Sequence, residues 1–427
     1  MDGALSNRLA EMNKFAFIER FRQGGGTAEK CMSWGFAGVF LAIPIGISPA
    51  LMCGGVALLF WVLSGAIMKA RFFPGESWFW PVLPLMILPW IGFLYTSDPG
   101  GLGISYAGKT YYWLFCLAIA SLSFEVLQPR RLINAFLIGL AVNAGVGILQ
   151  LAGVVATKEG WYSGLTRGYS TLSACLVLGI LMASFYFGTA TEKAKRWALF
   201  SLLMLYFFHL VILEGRTGYL TLALLSPLIV KTLFRKLHFW KAIVICLLIS
   251  GLMLFSPIVR ERLQLSLDQI RYHLHADPSK AWGREYTENL DRFYYWYGAV
   301  ELFLEHPVLG VGTGAYSKTL KEKRQPGDPI IAHPHNNLLY MAVSFGMVGI
   351  AVFVWFFWEL LRNALKEKET EAGYLVLCTA LVILVNGLFN TTIVDSGTLL
   401  LLSVVTGLQR GLPKFAERRK TGRKLVV

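Results

Sequence analysis

The sequence predicts an all-α polytopic membrane protein with about twelve transmembrane helices and one long outer loop containing amphipathic helices. Three observations lead there. Of 427 residues, 55% are hydrophobic and only 15% are charged, far from the balance of a soluble domain. Apolar runs long enough for a hydrocarbon core about 30 Å thick recur along the chain, separated by charge or turn clusters. The basic residues also sort to one side of those runs, as the positive-inside rule requires of a membrane protein.

The runs cover 32–47, 50–68, 78–96, 109–126, 132–155, 170–188, 197–213, 217–234, 240–256, 336–361, 372–390 and 396–411. The first two belong to one stretch broken only by Pro44, Ser48 and Pro49, which reads as two crossings or as a single hairpin or kinked pair. The chain accordingly divides into an N-terminal transmembrane region of about nine helices (1–256) and a long outer loop (257–335). A C-terminal region of about three helices (336–411) and a basic tail (412–427) follow.

With both termini inside, 26 of the 40 Lys and Arg residues fall on the inner side, including Arg130, Arg131, Lys193, Lys195 and Arg196. The short outer loops hold only Lys109, Lys158, Arg167 and Arg216, and the long outer loop balances ten basic against ten acidic residues. The net charge of +14 therefore reports orientation in a membrane and gives no reason to expect nucleic-acid binding. The first thirty residues are polar and amphipathic, so the first span is expected to act as its own insertion signal. The six cysteines lie in or beside the spans without a CxxC spacing. They read as small core hydrophobes and suggest no disulfide framework or zinc site.

Residues 103–110 match the phosphate-loop pattern G-x-x-x-x-G-K-[ST], ending on Gly108, Lys109 and Thr110. The context argues against a nucleotide site: a turn-forming stretch, not a strand, precedes it, and the topology puts it outside. An outer loop leading into a membrane helix is the expected alternative.

Five of the seven histidines, His273, His275, His306, His333 and His335, lie in the long outer loop. Within it, Phe293, Trp296, Tyr297, Val300, Phe303 and Leu304 have the spacing of one helical face, predicting an amphipathic helix against the outer membrane surface. Arg292 precedes Trp296 by one turn, so its guanidinium is placed to stack on the indole, or simply to anchor the helix at the interface. Gly310, Gly312 and Gly314 then form a turn that admits close backbone approach.

These residues resemble the O-antigen ligase and polymerase superfamily of bacterial polysaccharide-assembly membrane proteins. The resemblance rests on 292–296 (Arg-Phe-Tyr-Tyr-Trp), on 305–316 from Glu305 to Tyr316, on His335 followed by Gly346 in a spanning helix, and on Arg216-Thr-Gly-Tyr-Leu220, which is similar to the family's Arg-x-x-x-Leu signature. Its strong part covers about 210–350. The single sizeable outer loop is more similar to the ligase branch. The resemblance implies an enzyme of the bacterial inner membrane with a periplasmic site, transferring O-antigen polysaccharide from undecaprenyl diphosphate to lipid A–core to make lipopolysaccharide. A polymerase or a protein O-oligosaccharyltransferase using the same donor is the alternative, and a flippase or transporter is a more distant one.

That chemistry assigns tasks to residues. An arginine fork suits a leaving diphosphate: Arg216 at the start of a helix comes first, Arg292 second and Arg284 third. The other reading of Arg216 is a snorkelling side chain paired with Glu214. His335 is the expected general base, with a structural cap as its alternative. His333 and Asp395 are placed to orient it or to serve as ordinary loop residues, and Asp395 and Glu214 are the only nearby carboxylates for a covalent route. Gly346 is expected to admit close helix packing. Trp161, Tyr162 and Arg167 line a sugar path or belong to the interfacial aromatic belt. A lipid diphosphate is already activated and no metal-ligand cluster appears outside, so a reaction without ATP, metal or other cofactor is expected, inverting the anomeric centre in a single displacement. Membrane lipids and the two lipid-linked substrates are the expected partners.

Overall fold

The computed structural model describes residues 25–412 except 158, 159, 167, 214, 235–237, 254, 256, 258, 259, 262, 265, 266, 269, 270, 272–291 and 325–330. Among the described residues every regular element is a helix: α1 Gly25–Ala42, α2 Ile47–Leu63, α3 Phe79–Phe93, α4 Tyr112–Ala120, α5 Pro129–Leu151, α6 Tyr169–Thr189, α7 Lys193–Ile212, α8 Arg216–Leu233, α9 Phe239–Met253, α10 Arg292–Glu305, α11 Tyr316–Lys323, α12 Asn337–Lys366, α13 Glu371–Asn386 and α14 Ser396–Gly407, with short helical turns between them.

Each of the twelve apolar runs thus holds a helix. Among the described residues, by length and composition alone, four stretches qualify as spans (124–151, 169–189, 193–212 and 337–366), or five if the bent pair 47–75 counts as one. Several of the other helices stop short: α2 has 17 residues and α3 has 15, or roughly 25 Å and 22 Å at 1.5 Å per residue. The first apolar stretch is a hairpin. Gly35 faces Ala57 and Gly38 faces Cys53, an antiparallel contact in which missing side chains let the backbones close in.

The centre of the bundle is α6, where Thr171 through Tyr186 are all buried, as befits a helix that is apolar on every side. It packs on α5, α7, α8, α13 and α14. Around the outside, Met52, Leu94, Trp197, Trp240 and Trp358 stand exposed, an apolar girdle of the kind a membrane protein turns to lipid.

Two features shape the end of the bundle expected to face outward, its outer end. Helix α10 is amphipathic: Tyr294, Tyr295, Gly298, Ala299 and Leu302 are buried, while Phe293, Tyr297, Val300 and Leu304 are exposed. The exposed set lies on the predicted stripe. Helix α12, expected as one continuous run, is broken at Gly346, whose φ of 63° and ψ of −149° are not helical. The glycine-rich turn after α10 enters this break. Val311 and Gly312 donate to the carbonyls of Val343 and Ser344 at 2.8 and 3.0 Å, and Met347 N–H donates to Pro307 at 2.8 Å. A Cβ on Gly346 would collide with the Val308 carbonyl. The close approach expected of Gly346 is therefore to an outer turn rather than to a second helix.

Candidate active site

Helices α6, α8, α10, α12 and α14 all present their N-termini to one region at the outer end, joined there by side-chain contacts. An Arg292 N–H donates to Thr217 Oγ1 at 3.4 Å, linking α10 to α8. Thr171 of α6 donates to the carboxylate of Asp395, which caps α14 by accepting from Gly397 N–H at 3.4 Å. Asn337 of α12 is tied to the turn before α14: its N–H donates to Gly387 at 2.7 Å, its amide donates to Thr392 at 2.8 Å, and its side-chain oxygen accepts from Ile393 N–H at 3.2 Å. Helix N-termini carry partial positive charge and free N–H groups, so the region favours an anion before any side chain is counted.

His335 does not begin the helix. It lies one residue before Asn336, whose side chain caps α12 by accepting from Leu339 N–H at 3.0 Å. The expected alternative of a capping role for His335 therefore falls to its neighbour. With φ of 50°, His335 is one of two non-glycine residues in the left-handed region among those described, a conformation that costs energy and recurs at functional sites. The backbone is fixed on both sides, by the buried Pro334 and by the anchored Asn336 and Asn337. Its ring packs edge to face on His333 at 4.7 Å and lies 6.2 Å from the ring of Tyr295.

Burial, then the nearby His333 and Arg292, push the His335 pKa down to about 3. His333 is also lowered, mainly by burial and then by Lys109, with Asp395 opposing. Both imidazoles are thus neutral at physiological pH and able to accept a proton.

Arg292 and Arg216 are neighbours. Burial lowers the Arg292 pKa, the Arg216 charge lowers it further, and Tyr169 opposes. The Arg292 guanidinium lies 5.8 Å from the centre of the Phe389 ring. Trp296, the expected stacking partner, packs on Phe389 as well, at 5.8 Å, so the turn before α14 supplies the aromatic surface for both. Two like charges side by side in a partly buried setting are costly, so the pair favours an anion between them.

Lys109, which ends the phosphate-loop look-alike, belongs to the site region. The segment from Gly103 to Thr110 folds as consecutive helical turns. Its lysine Nζ donates to the Val394 carbonyl at 2.5 Å and lies over the Tyr106 ring at 5.1 Å. Asp395 acts on it electrostatically. Sequence reasoning passed over Lys109, although it had placed this residue among the four cations of the short outer loops, where such charges are rare. Phe389, Tyr295, Tyr169 and Thr171 are further additions that only the fold brings together.

Of the expected site residues, Arg216, Arg292, His333, His335 and Asp395 gather here, and Gly346 lies about two and a half helical turns further along α12, at its break. Arg284, Arg167, Glu214, His273 and His275 lie outside the described residues. Among the described residues no three His, Cys, Asp or Glu side chains cluster as a metal site would need.

The family model described as O-antigen ligase matches residues 199–354, which include Arg216, Arg292, His333, His335 and Gly346. A Rickettsia conorii protein named "putative polysaccharide ligase" is 26% identical over 218 residues, 49% of this chain and 48% of that one. A Rickettsia felis protein of the same name is 24% identical over 219 residues, 49% of each chain. The matched segment spans about half the length of these relatives.

Proposed function

Since these matches support assignment of the chain to the O-antigen ligase family, we propose that it is a glycosyltransferase of the bacterial inner membrane. In this reading it moves O-antigen polysaccharide from undecaprenyl diphosphate to lipid A–core at the periplasmic face. The observation that carries the reading is the chain of neighbours in which Arg216 lies beside Arg292 and Arg292 lies beside the imidazole of His335.

The acceptor hydroxyl oxygen attacks the anomeric carbon of the first donor sugar. The bond from that carbon to the diphosphate oxygen breaks, and undecaprenyl diphosphate leaves. The hydroxyl proton passes to His335. Arg216 and Arg292 meet the charge that grows on the leaving oxygen, aided by the converging helix N-termini, and interactions that strengthen as charge develops are those that accelerate the step. One displacement inverts the anomeric configuration. Neither ATP nor a metal enters this scheme.

Charge linkage supports the role of His335. Burial comes first, but His333 and the Arg292 charge also help to hold its proton affinity low. A diphosphate beside the arginines offsets that positive potential, so donor binding raises the His335 pKa toward the range in which a general base works best. An apolar cleft between α3, α4, α12 and α14, lined by Leu88, Trp113, Tyr340, Phe345 and Phe356 with Lys109 at its rim, has the chemistry to take part of an isoprenoid chain.

The test is transfer of glycan from purified undecaprenyl-diphosphate donor to lipid A–core. We expect His335→Ala to lower kcat by about 10²- to 10⁴-fold, the usual span of general acid–base catalysis. Unchanged transfer would remove His335 from the chemistry, and a requirement for ATP or metal would overturn the scheme.

A further inference from the structure

Residues 162–165, in the connection between α5 and α6, dip into the bundle and are held there by buried polar side chains. Asn143 Nδ2 donates to the Ser163 carbonyl at 3.2 Å, and its oxygen accepts from Leu165 N–H at 2.7 Å. Gln150 donates to the Gly164 carbonyl at 3.0 Å and accepts from Gly164 N–H at 2.8 Å. His209 Nε2 lies 2.9 Å from the Tyr162 carbonyl. All three anchoring side chains are buried, and Asn143 sits eight residues inside the end of α5, roughly 12 Å along the helix axis. Gly164 takes a φ of 65° and has no room for a Cβ beside Asn143, so a glycine is required where the chain turns back.

The aromatic residues on either side of this buried turn meet. The indole of Trp161 and the phenol of Tyr169 stack with centroids 5.4 Å apart and planes at 21°. Tyr169 remains 40% exposed. It opens α6, lies close enough to Arg292 to influence its charge, and precedes by two residues Thr171, the partner of Asp395. Aromatics that only mark the membrane interface have no need of a loop pinned by three buried polar side chains, nor of a place between the arginine and aspartate sides of a site. We propose that Trp161 and Tyr169 form a binding platform for a pyranose ring, the one joined directly to the donor diphosphate.

The chemistry fits that ligand. A pyranose shows one face of C–H groups edged by hydroxyls, and a stacked aromatic pair offers a flat apolar body with a polar rim. Such a surface fixes the plane of the ring, and with it the anomeric carbon, without reading individual hydroxyls. It would therefore accept repeat units of differing composition.

The inference rests on the donor assignment made above, and the experiment separates the two. In detergent or nanodiscs, the parent protein, Trp161→Ala and Trp161→Phe are assayed for transfer with glycan-bearing undecaprenyl diphosphate. Each is also measured for binding of undecaprenyl diphosphate that carries no sugar. We expect the KM for the glycan donor to rise about tenfold in Trp161→Ala, equivalent to ~1.4 kcal/mol, and to recover in large part in Trp161→Phe, with affinity for the bare diphosphate lipid unchanged in both.

Unaltered donor KM in Trp161→Ala would overturn the platform, as would a rise confined to the KM for lipid A–core. Equal loss of bare-lipid affinity would also overturn it, showing that the loop merely supports the diphosphate site. If the parent itself transfers nothing from the lipid diphosphate, the donor assignment fails instead.

Discussion

The inner and outer ends of the bundle treat positive charge in opposite ways. At the inner end cations meet carboxylates: Lys69 with Glu29 at 2.7 Å, Arg362 with Glu359 at 2.6 Å, Arg410 with Glu76 at 3.6 Å and Arg130 with Glu371 at 3.8 Å. At the outer end Arg324 with Glu301, and Lys323 with Glu305, hold α11 against α10 in the same fashion. The cluster around His335 is different. There, among the described residues, Arg216 stands close enough to Arg292 to lower its pKa, and Lys109 and His333 face the carboxylate of Asp395, which is already engaged by Thr171 and the start of α14. Pairing within the protein stabilises and orients, whereas like charges brought together at converging helix N-termini suit a ligand of the other sign.

The sharpest way to break this contrast is to remove a cation from each end. We expect Arg292→Ala to reduce transfer by about 10²- to 10³-fold, the cost of losing one preorganised donor to a developing oxyanion. Arg216→Lys should also impair transfer, since an ammonium keeps the charge but cannot reproduce the planar fork. Lys69→Ala, at the inner end, should leave kcat/KM within about twofold, because an exposed ion pair contributes at most about 1 kcal/mol to stability. Normal transfer by both arginine variants would mean that the outer arginine pair serves something other than the donor.

The second test concerns the turn that braces the site. Gly346→Ala places a Cβ where φ is 63° and where the Val308 carbonyl already sits. A side chain in that region costs about 1–3 kcal/mol in backbone strain alone, and the collision adds to it. The expected outcome is a lower melting temperature in detergent, with loss of transfer that follows loss of folded protein. Gly55→Ala, where a Cβ meets nothing within 4 Å, is the matched control and should melt close to the parent.

These two sites also show what the sequence could and could not reveal. Apolar runs marked where helices form, because burial in a bundle or in lipid demands about twenty apolar residues whatever the neighbours. The exposed stripe of α10 followed from its spacing for the same local reason. Motif and position singled out His335 and the arginines, and the fold brings Arg216, Arg292 and His335 into one region. Lys109 was not, since its role depends on Val394 and Asp395, nearly three hundred residues away. Phe389 displaced Trp296 as the surface under Arg292 for a similar reason: helical periodicity ranks neighbours on one helix and says nothing about a turn arriving from another. The break in α12 was hidden because Gly346 sits in an unbroken apolar run, and only the arrival of Pro307 to Gly312 gives the unwound carbonyls and N–H groups their partners.

The smallest expected effect is also the most specific to the charge contrast, and it is read from pH. In the free enzyme burial, His333 and Arg292 hold the His335 pKa down to about 3. The neutral, proton-accepting imidazole is then fully present above that pH and is lost only as the pH falls through it. For free enzyme and substrate, kcat/KM should therefore show no acidic limb from His335 between pH 5 and 8. In the donor complex the diphosphate offsets the arginines, the pKa rises, and kcat should fall at a higher pH than kcat/KM does. In Arg292→Lys, which keeps the charge, the separation between the two limbs should persist. In Arg292→Gln the free-enzyme pKa should rise and the separation narrow by about one pH unit, since a shift of that size corresponds to ~1.4 kcal/mol of charge interaction. Identical limbs for kcat and kcat/KM in the parent would show that donor binding does not tune His335, and would leave the positive charge acting on the leaving group alone.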